Sequence, residues 1–219
     1  MDNKEKDTKM NKEILYFIFV DAIRDATMMK SLKGEKKQYQ DVAVFNAVVM
    51  EGKGILQLVN NVLNGKYTSS DDEEKCKQAF ERDFLDVSKY VCSCIKEFRF
   101  GNAQKLINIM LKYVYIMTYS ETSGVKKSYF QYCHCPMDSI MLKDAWNNRR
   151  VWSDRCSVKY KRDDFLMGWG QEEFETINGD KTLPKRYKAF QFAVDILANE
   201  SGLSPLEYDY YIWGKNIQN

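Results

Sequence analysis

Phe100-Gly101-Asn102-Ala103-Gln104-Lys105 opens an apolar run that continues to about residue 119, and the fold is read outward from it. Leu106, Ile107, Met110, Leu111, Val114 and Met117 recur at helical spacing, a stripe wide enough to require burial. Upstream, Phe80, Phe84, Leu85, Val87, Val91 and Ile95 keep the same period over 76–97, so two helices meet near Gly101. A glycine at that point supplies the positive φ with which a helix C-terminal turn ends, and the chain re-enters a helix at once. Lys105 then falls in the first turn of the second helix.

The remaining periodicity is also helical. Ile14, Phe17, Ile18, Ala22 and Met29 predict a helix over 13–30, and Val44, Val48, Ile55, Leu58, Val59, Val62 and Leu63 predict one over 42–64. The polar stretch 66–74 has no period and offers Ser70 or Asp71 as the N-cap of the helix that follows. A short helix is expected over 138–146, and another over 187–199 with Phe190, Ala193, Val194 and Leu197 inward. Ser204-Pro205 has the cap and first-turn residues of a final helix. Between these, 151–186 is irregular, marked by Gly168, Gly170 and Gly179, with room for a small hairpin. The class is all-α, a single unit over 1–219 with a helical portion at 13–97 and a second at 98–214.

A chain of 219 residues holds a core that needs no metal or disulfide. The apolar fraction of 44%, the aromatic fraction of 14% and only three prolines favour helices over an all-β fold. The stretch 1–12 is charged and lacks an apolar leader segment, which points to a cytoplasmic protein. No apolar run reaches the roughly 20 residues of a membrane helix. Six cysteines without a secretion signal are expected to be reduced and to serve as small buried hydrophobes. Cys92 and Cys94, like Cys133 and Cys135, are spaced too closely for a structural metal site, so neither metal nor cofactor is expected. A net charge of +2 is not that of a protein that coats nucleic acid. Two local runs are nevertheless basic: Arg149, Arg150, Arg155, Lys159, Lys161 and Arg162, then Lys181, Lys185, Arg186 and Lys188. Each is either a phosphate contact or a solvated face.

Three pieces carry chemistry. Lys105, beside the positive end of a helix dipole, has its ammonium disfavoured and its amine available as a nucleophile, one able to attack a sugar C1′ and leave a Schiff base. The helix restart at Gly101, Asn102 and Gln104 offers backbone N–H groups to a phosphate. Asp138, just beyond Pro136-Met137, is a carboxylate suited to steadying positive charge on a sugar or moving a proton. Asp209 and Trp213, four apart on one helical face, suit an aromatic base that stacks on the indole while the carboxylate accepts from its edge. Taken singly, each residue has a plainer role: a solvated first-turn lysine, an N-cap, a core aromatic.

Gln104-Lys105 at the head of an apolar helix, Pro136-Met137-Asp138, and Asp209-Tyr210-Tyr211-Ile212-Trp213-Gly214 together resemble the archaeal 8-oxoguanine DNA glycosylase family, a branch of the helix-hairpin-helix glycosylases. The resemblance covers about 98–214. It implies a two-lobed helical fold with a helix-hairpin-helix element, and a monomeric DNA repair enzyme that flips an oxidised or modified base out of duplex DNA and excises it. Cleavage at the resulting abasic site is left open. Carried over by position, Lys105 is the nucleophile, Asp138 the catalytic acid, and Asp209 and Trp213 the base-recognition pair. The segment 100–112 with His134-Cys135-Pro136-Met137-Asp138 is also similar to uncharacterised bacterial and phage proteins, which leaves a defence role open. Two alternatives stand beside it: a non-catalytic helical module that binds nucleic acid or protein through 208–213, and a hydrolase built on His134 and Asp138.

Overall fold

A computed structural model describes residues 11–27, 36–118 and 124–217, and these are predominantly helical. The charged stretch 1–10, Met29 and Tyr119 lie outside the described residues. In chain order the helices are α1 (Lys12–Ala26), α2 (Lys36–Tyr39), α3 (Val42–Phe45), α4 (Ile55–Leu63), α5 (Glu73–Cys94), α6 (Phe100–Thr118), α7 (Ser139–Asn147), α8 (Arg149–Trp152), α9 (Arg162–Phe165), α10 (Lys185–Glu200) and α11 (Pro205–Ile217). A two-stranded antiparallel hairpin, β1 (Glu175–Ile177) and β2 (Asp180–Thr182), interrupts the series before α10. Its two-residue loop is Asn178-Gly179, with φ of 51° and 88°. Positive φ at both positions makes a type I′ turn, whose twist matches that of the paired strands.

The centre of the molecule is α6, in which every residue from Phe100 to Leu111 is buried. It packs most extensively on α1, through that helix's buried face of Leu15, Ile18, Phe19, Ala22 and Ile23, and next on α5. On the other side α10 packs against α7, α8 and α11. Burial of each large apolar side chain of this core is worth about 1.5–3 kcal/mol, and Phe80, Phe84, Phe100, Phe130, Phe165 and Phe190 are among those fully removed from water.

Three local expectations need correction. The segment 42–64 is not one helix: α3 runs into a π-helical turn (Asn46–Met50), Glu51 is extended, and α4 departs at 49°. Gly54 permits the break, because a Cβ there would lie 2.6 Å from the Val48 carbonyl oxygen and 2.8 Å from that of Val49. The N-cap of α5 is Asp72, whose side chain accepts from Lys75 N at 3.1 Å, while Ser70 Oγ accepts from Asp72 N. Finally, Gly101 does not adopt positive φ and does not end a helix. It lies inside the first turn of α6, and glycine is needed there for space. A Cβ would overlap the carbonyl oxygen of Trp169, which belongs to a 3-10 turn (Trp169–Gln171) laid across the start of α6.

Candidate active site

The site is built where α6 begins. Gly101 N donates to Glu172 O at 3.0 Å, and Arg99 Nη1 donates to Gln171 Oε1 at 3.1 Å, so the 169–172 segment is clamped to the helix. Glu172 is in turn held by Arg186, a buried ion pair whose guanidinium also donates to the carbonyls of Phe165 and Met167. The clamp sets the Trp169 ring against Lys105, with Nζ 4.4 Å from the ring centroid.

A second fixture sets Asp138. Gln104 is fully buried and pairs with the backbone of Met137 as a neighbouring strand would: its Oε1 accepts from Met137 N at 3.1 Å and its Nε2 donates to Met137 O at 3.0 Å. Gln191 of α10 does the same to Cys135, accepting from its N–H at 3.0 Å and donating to its carbonyl at 2.7 Å. Two amide side chains thus satisfy a loop that has no strand partner. Since Gln104 adjoins Lys105 and Met137 adjoins Asp138, one pair of hydrogen bonds registers the lysine against the carboxylate. Asp138 then caps α7, its Oδ1 accepting from Ile140 N at 2.9 Å and Met141 N at 3.0 Å. Its Oδ2 takes no hydrogen bond among the described residues.

Lys105, Asp138 and Trp213 line one cleft of about 340 Å³, together with Trp169, Ile140 and Gln171. Lys105 is only 8% exposed and has no ion-pair partner among the described residues. Burial pushes its pKa below that of an ordinary lysine, against the opposing pull of Asp138, Asp25 and Asp209. Trp213 presents an indole that is 36% exposed.

Asp209 does not line the cleft. It is wholly buried and ion-paired with Lys112, and desolvation raises its pKa to about 6 despite that partner. Lys112 Nζ also stands 4.6 Å from the Tyr210 ring and 5.7 Å from that of Trp213. The expected partnership of Asp209 and Trp213 at a base edge is therefore replaced by one in which Asp209 holds the lysine beneath the indole.

No family model, no curated protein and no solved structure matches the chain. What the cleft can do follows from its own residues.

Gly101, Asn102 and Gln104 are not available to a phosphate. All three are buried. The Gly101 N–H is taken by Glu172, Asn102 bridges Arg99 N and the Ala26 carbonyl, and Gln104 holds Met137. The basic run Arg149, Arg150, Arg155, Lys159, Lys161 and Arg162 is exposed, as are Lys181, Lys185 and Lys188, whereas Arg186 belongs to the interior clamp.

His134 sits elsewhere, buried among Phe80, Phe84 and Tyr187. Tyr187 Oη accepts from Asn108 Nδ2 at 2.9 Å and shares a hydrogen bond of 3.0 Å with His134 Nδ1, while His134 Nε2 is buried with no hydrogen-bond partner among the described residues. Burial lowers its pKa to about 3 and keeps the ring neutral. Its side chain faces a different cavity, lined by Lys77 and Asp195, so it forms no pair with Asp138.

The six cysteines are free thiols, and no group of His, Cys, Asp or Glu among the described residues is arranged to hold a metal. No single helix among them is long and apolar enough to cross a membrane. The residues missed in the sequence are Trp169 and Lys112. The pair of glycines around Trp169 was visible; its partner Gly101 is distant in sequence, and nothing local joins them.

Proposed function

We propose that this protein is a DNA glycosylase that removes an oxidised or otherwise modified base, a purine such as 8-oxoguanine, through Lys105 with help from Asp138. One observation carries this: a lysine pushed toward its neutral form, a carboxylate and a part-exposed indole, from three separate segments of the chain, meet in one cleft. On this reading α5, the link 95–99 and α6 are the helix-hairpin-helix element of a two-lobed monomer, with the exposed cations of 149–162 toward the DNA backbone.

The chemistry balances without a cofactor. The Lys105 amine donates its lone pair to C1′ as the C1′–N bond breaks, and the base departs with the bonding pair and gains a proton. Asp138 takes the proton from the Lys105 nitrogen and returns it to O4′. That oxygen leaves with the C1′–O4′ bonding pair as the nitrogen lone pair forms C1′=N, giving a protonated Schiff base that water hydrolyses or that proceeds to strand cleavage. Asp138 is held by its cap and faces the positive charge that develops on the sugar, and its carboxylate accepts the proton that Lys105 sheds. Trp213 stacks on the extrahelical base.

Borohydride trapping tests the proposal on duplexes carrying 8-oxoguanine, a panel of other modified bases, or an abasic site. A covalent adduct with wild-type protein that is lost in Lys105→Ala is the expected result. Absence of any adduct and of any base release would overturn the proposal in favour of a non-catalytic binding module, for which Lys105 is dispensable.

A further inference from the structure

Of the four tryptophans, the half-buried Trp146 and the buried Trp152 pack on Phe165, their rings 5.7 and 5.3 Å from its own. Trp169 and Trp213 differ. Both line the Lys105–Asp138 cleft, and neither stacks on another aromatic ring among the described residues. Each indole is instead met by a lysine: Trp169 by Lys105 at 4.4 Å and Trp213 by Lys112 at 5.7 Å.

We propose that Trp169 and Trp213 are the two stacking faces of a single slot for a planar heteroaromatic base, and that Lys105 covers the Trp169 face until the base displaces it. This rests on the glycosylase function above and adds a specificity-determining residue to it. Trp169 is the fixed partner, because its carbonyl lies against Gly101, and Glu172, three residues on, is held by both Gly101 N and Arg186. Lys105 is the movable one, on a stem of four methylenes. Magnitudes favour the exchange. A base stacked on an aromatic side chain gains about 10- to 100-fold in affinity. A cation over a ring at a partly exposed site gains only about two- to fivefold. Seating a base on Trp169 therefore frees the Lys105 amine when a sugar has been drawn into reach beside Asp138, so that base recognition and nucleophile release are one event.

The test compares wild type, Trp169→Leu and Trp169→Phe on two readouts: borohydride adduct on an abasic duplex, which has no base to stack, and base release from whichever modified duplex of the panel the wild type acts on. Trp169→Leu is expected to lower base release about 10- to 100-fold more than it lowers abasic adduct formation, and Trp169→Phe, which keeps a ring, to restore most of the difference. Thermal melts of both variants verify folding, and the phenylalanine variant carries the test if the leucine variant melts early. Equal losses on the two readouts, or no loss on either, would overturn the slot. So would a wild type that traps on the abasic duplex yet releases no base from any duplex. A wild type with neither a Lys105-dependent adduct nor base release on any duplex would instead remove the glycosylase function itself.

Discussion

Asp138 uses Oδ1 to cap α7, which leaves Oδ2 outside the cap and the carboxylate fixed in direction. Asparagine caps a helix as well as aspartate does, whereas alanine costs about 1 kcal/mol. Asp138→Asn should therefore melt close to wild type while base excision falls about 10²- to 10⁴-fold, as expected for loss of a proton-transfer group. Thermal melts beside single-turnover excision assays check both halves, and a parallel drop in stability would show the carboxylate to be structural. Lys105 gives the opposite trade. Its folded pKa is depressed by burial, so the unfolded chain binds the proton more readily, and stability falls as pH drops from the ordinary lysine value toward the depressed one. At neutral pH the buried amine thus works against folding. Lys105→Met should shift the urea midpoint upward at pH 7 and abolish the covalent adduct. The excision rate of wild type should rise with pH and level off below the range in which free lysine titrates.

At the scale of elements, the site depends on contacts between α6 and two segments that have no regular partner of their own. Gly101→Ala sets a Cβ into the Trp169 carbonyl, with backbone on both sides of the clash. The turn at 169–171 must move, at a cost of about 1–3 kcal/mol by the usual penalty for overpacking. The expected outcome is a lower melting temperature together with loss of Lys105-dependent adduct, measured on the same preparation. Gln104→Leu removes the side chain that pairs with Met137 and strands a buried N–H and C=O, each costing about 1–3 kcal/mol. It should loosen the register of Asp138 against Lys105, so that excision declines further than the same loss of stability would cause in a variant far from the cleft.

Across the whole molecule, one buried histidine makes the fold sensitive to acid. His134 holds a folded pKa near 3 because of burial, while the unfolded chain takes its proton near 6.5. Between these values the unfolded state binds more protons, so stability is lost as pH falls through that window, by on the order of 5 kcal/mol in total. Glu172, Asp195 and Asp209 have raised carboxyl pKa values and oppose this trend, since the folded state keeps their protons longer. The clean comparison is therefore between wild type and His134→Gln, whose amide can donate to or accept from Tyr187. Guanidinium midpoints at pH 7.5 and 4.5 should fall less steeply in the variant. Equal slopes would show that the ring is protonated in the folded state.

The all-α class was legible from the spacing of Leu106, Ile107, Met110, Leu111 and Val114, and the short hairpin from its glycines, because helical period and turn chemistry are properties of neighbours in sequence. Asp138 as the cap of α7, and Ser204-Pro205 at the head of α11, were readable for the same reason. The break at Gly54, the role of Gly101, and the internal use of Asn102, Gln104 and Asp209 were not, since each depends on what lies opposite the residue in space. A polar side chain on a helix looks alike in sequence whether it faces a phosphate or a buried backbone. Only the tertiary structure decided that Gln104 faces Met137, that Asp209 holds Lys112, and that an indole from a distant turn lies over Lys105, because burial and hydrogen-bond partners are settled when separate segments pack and not before.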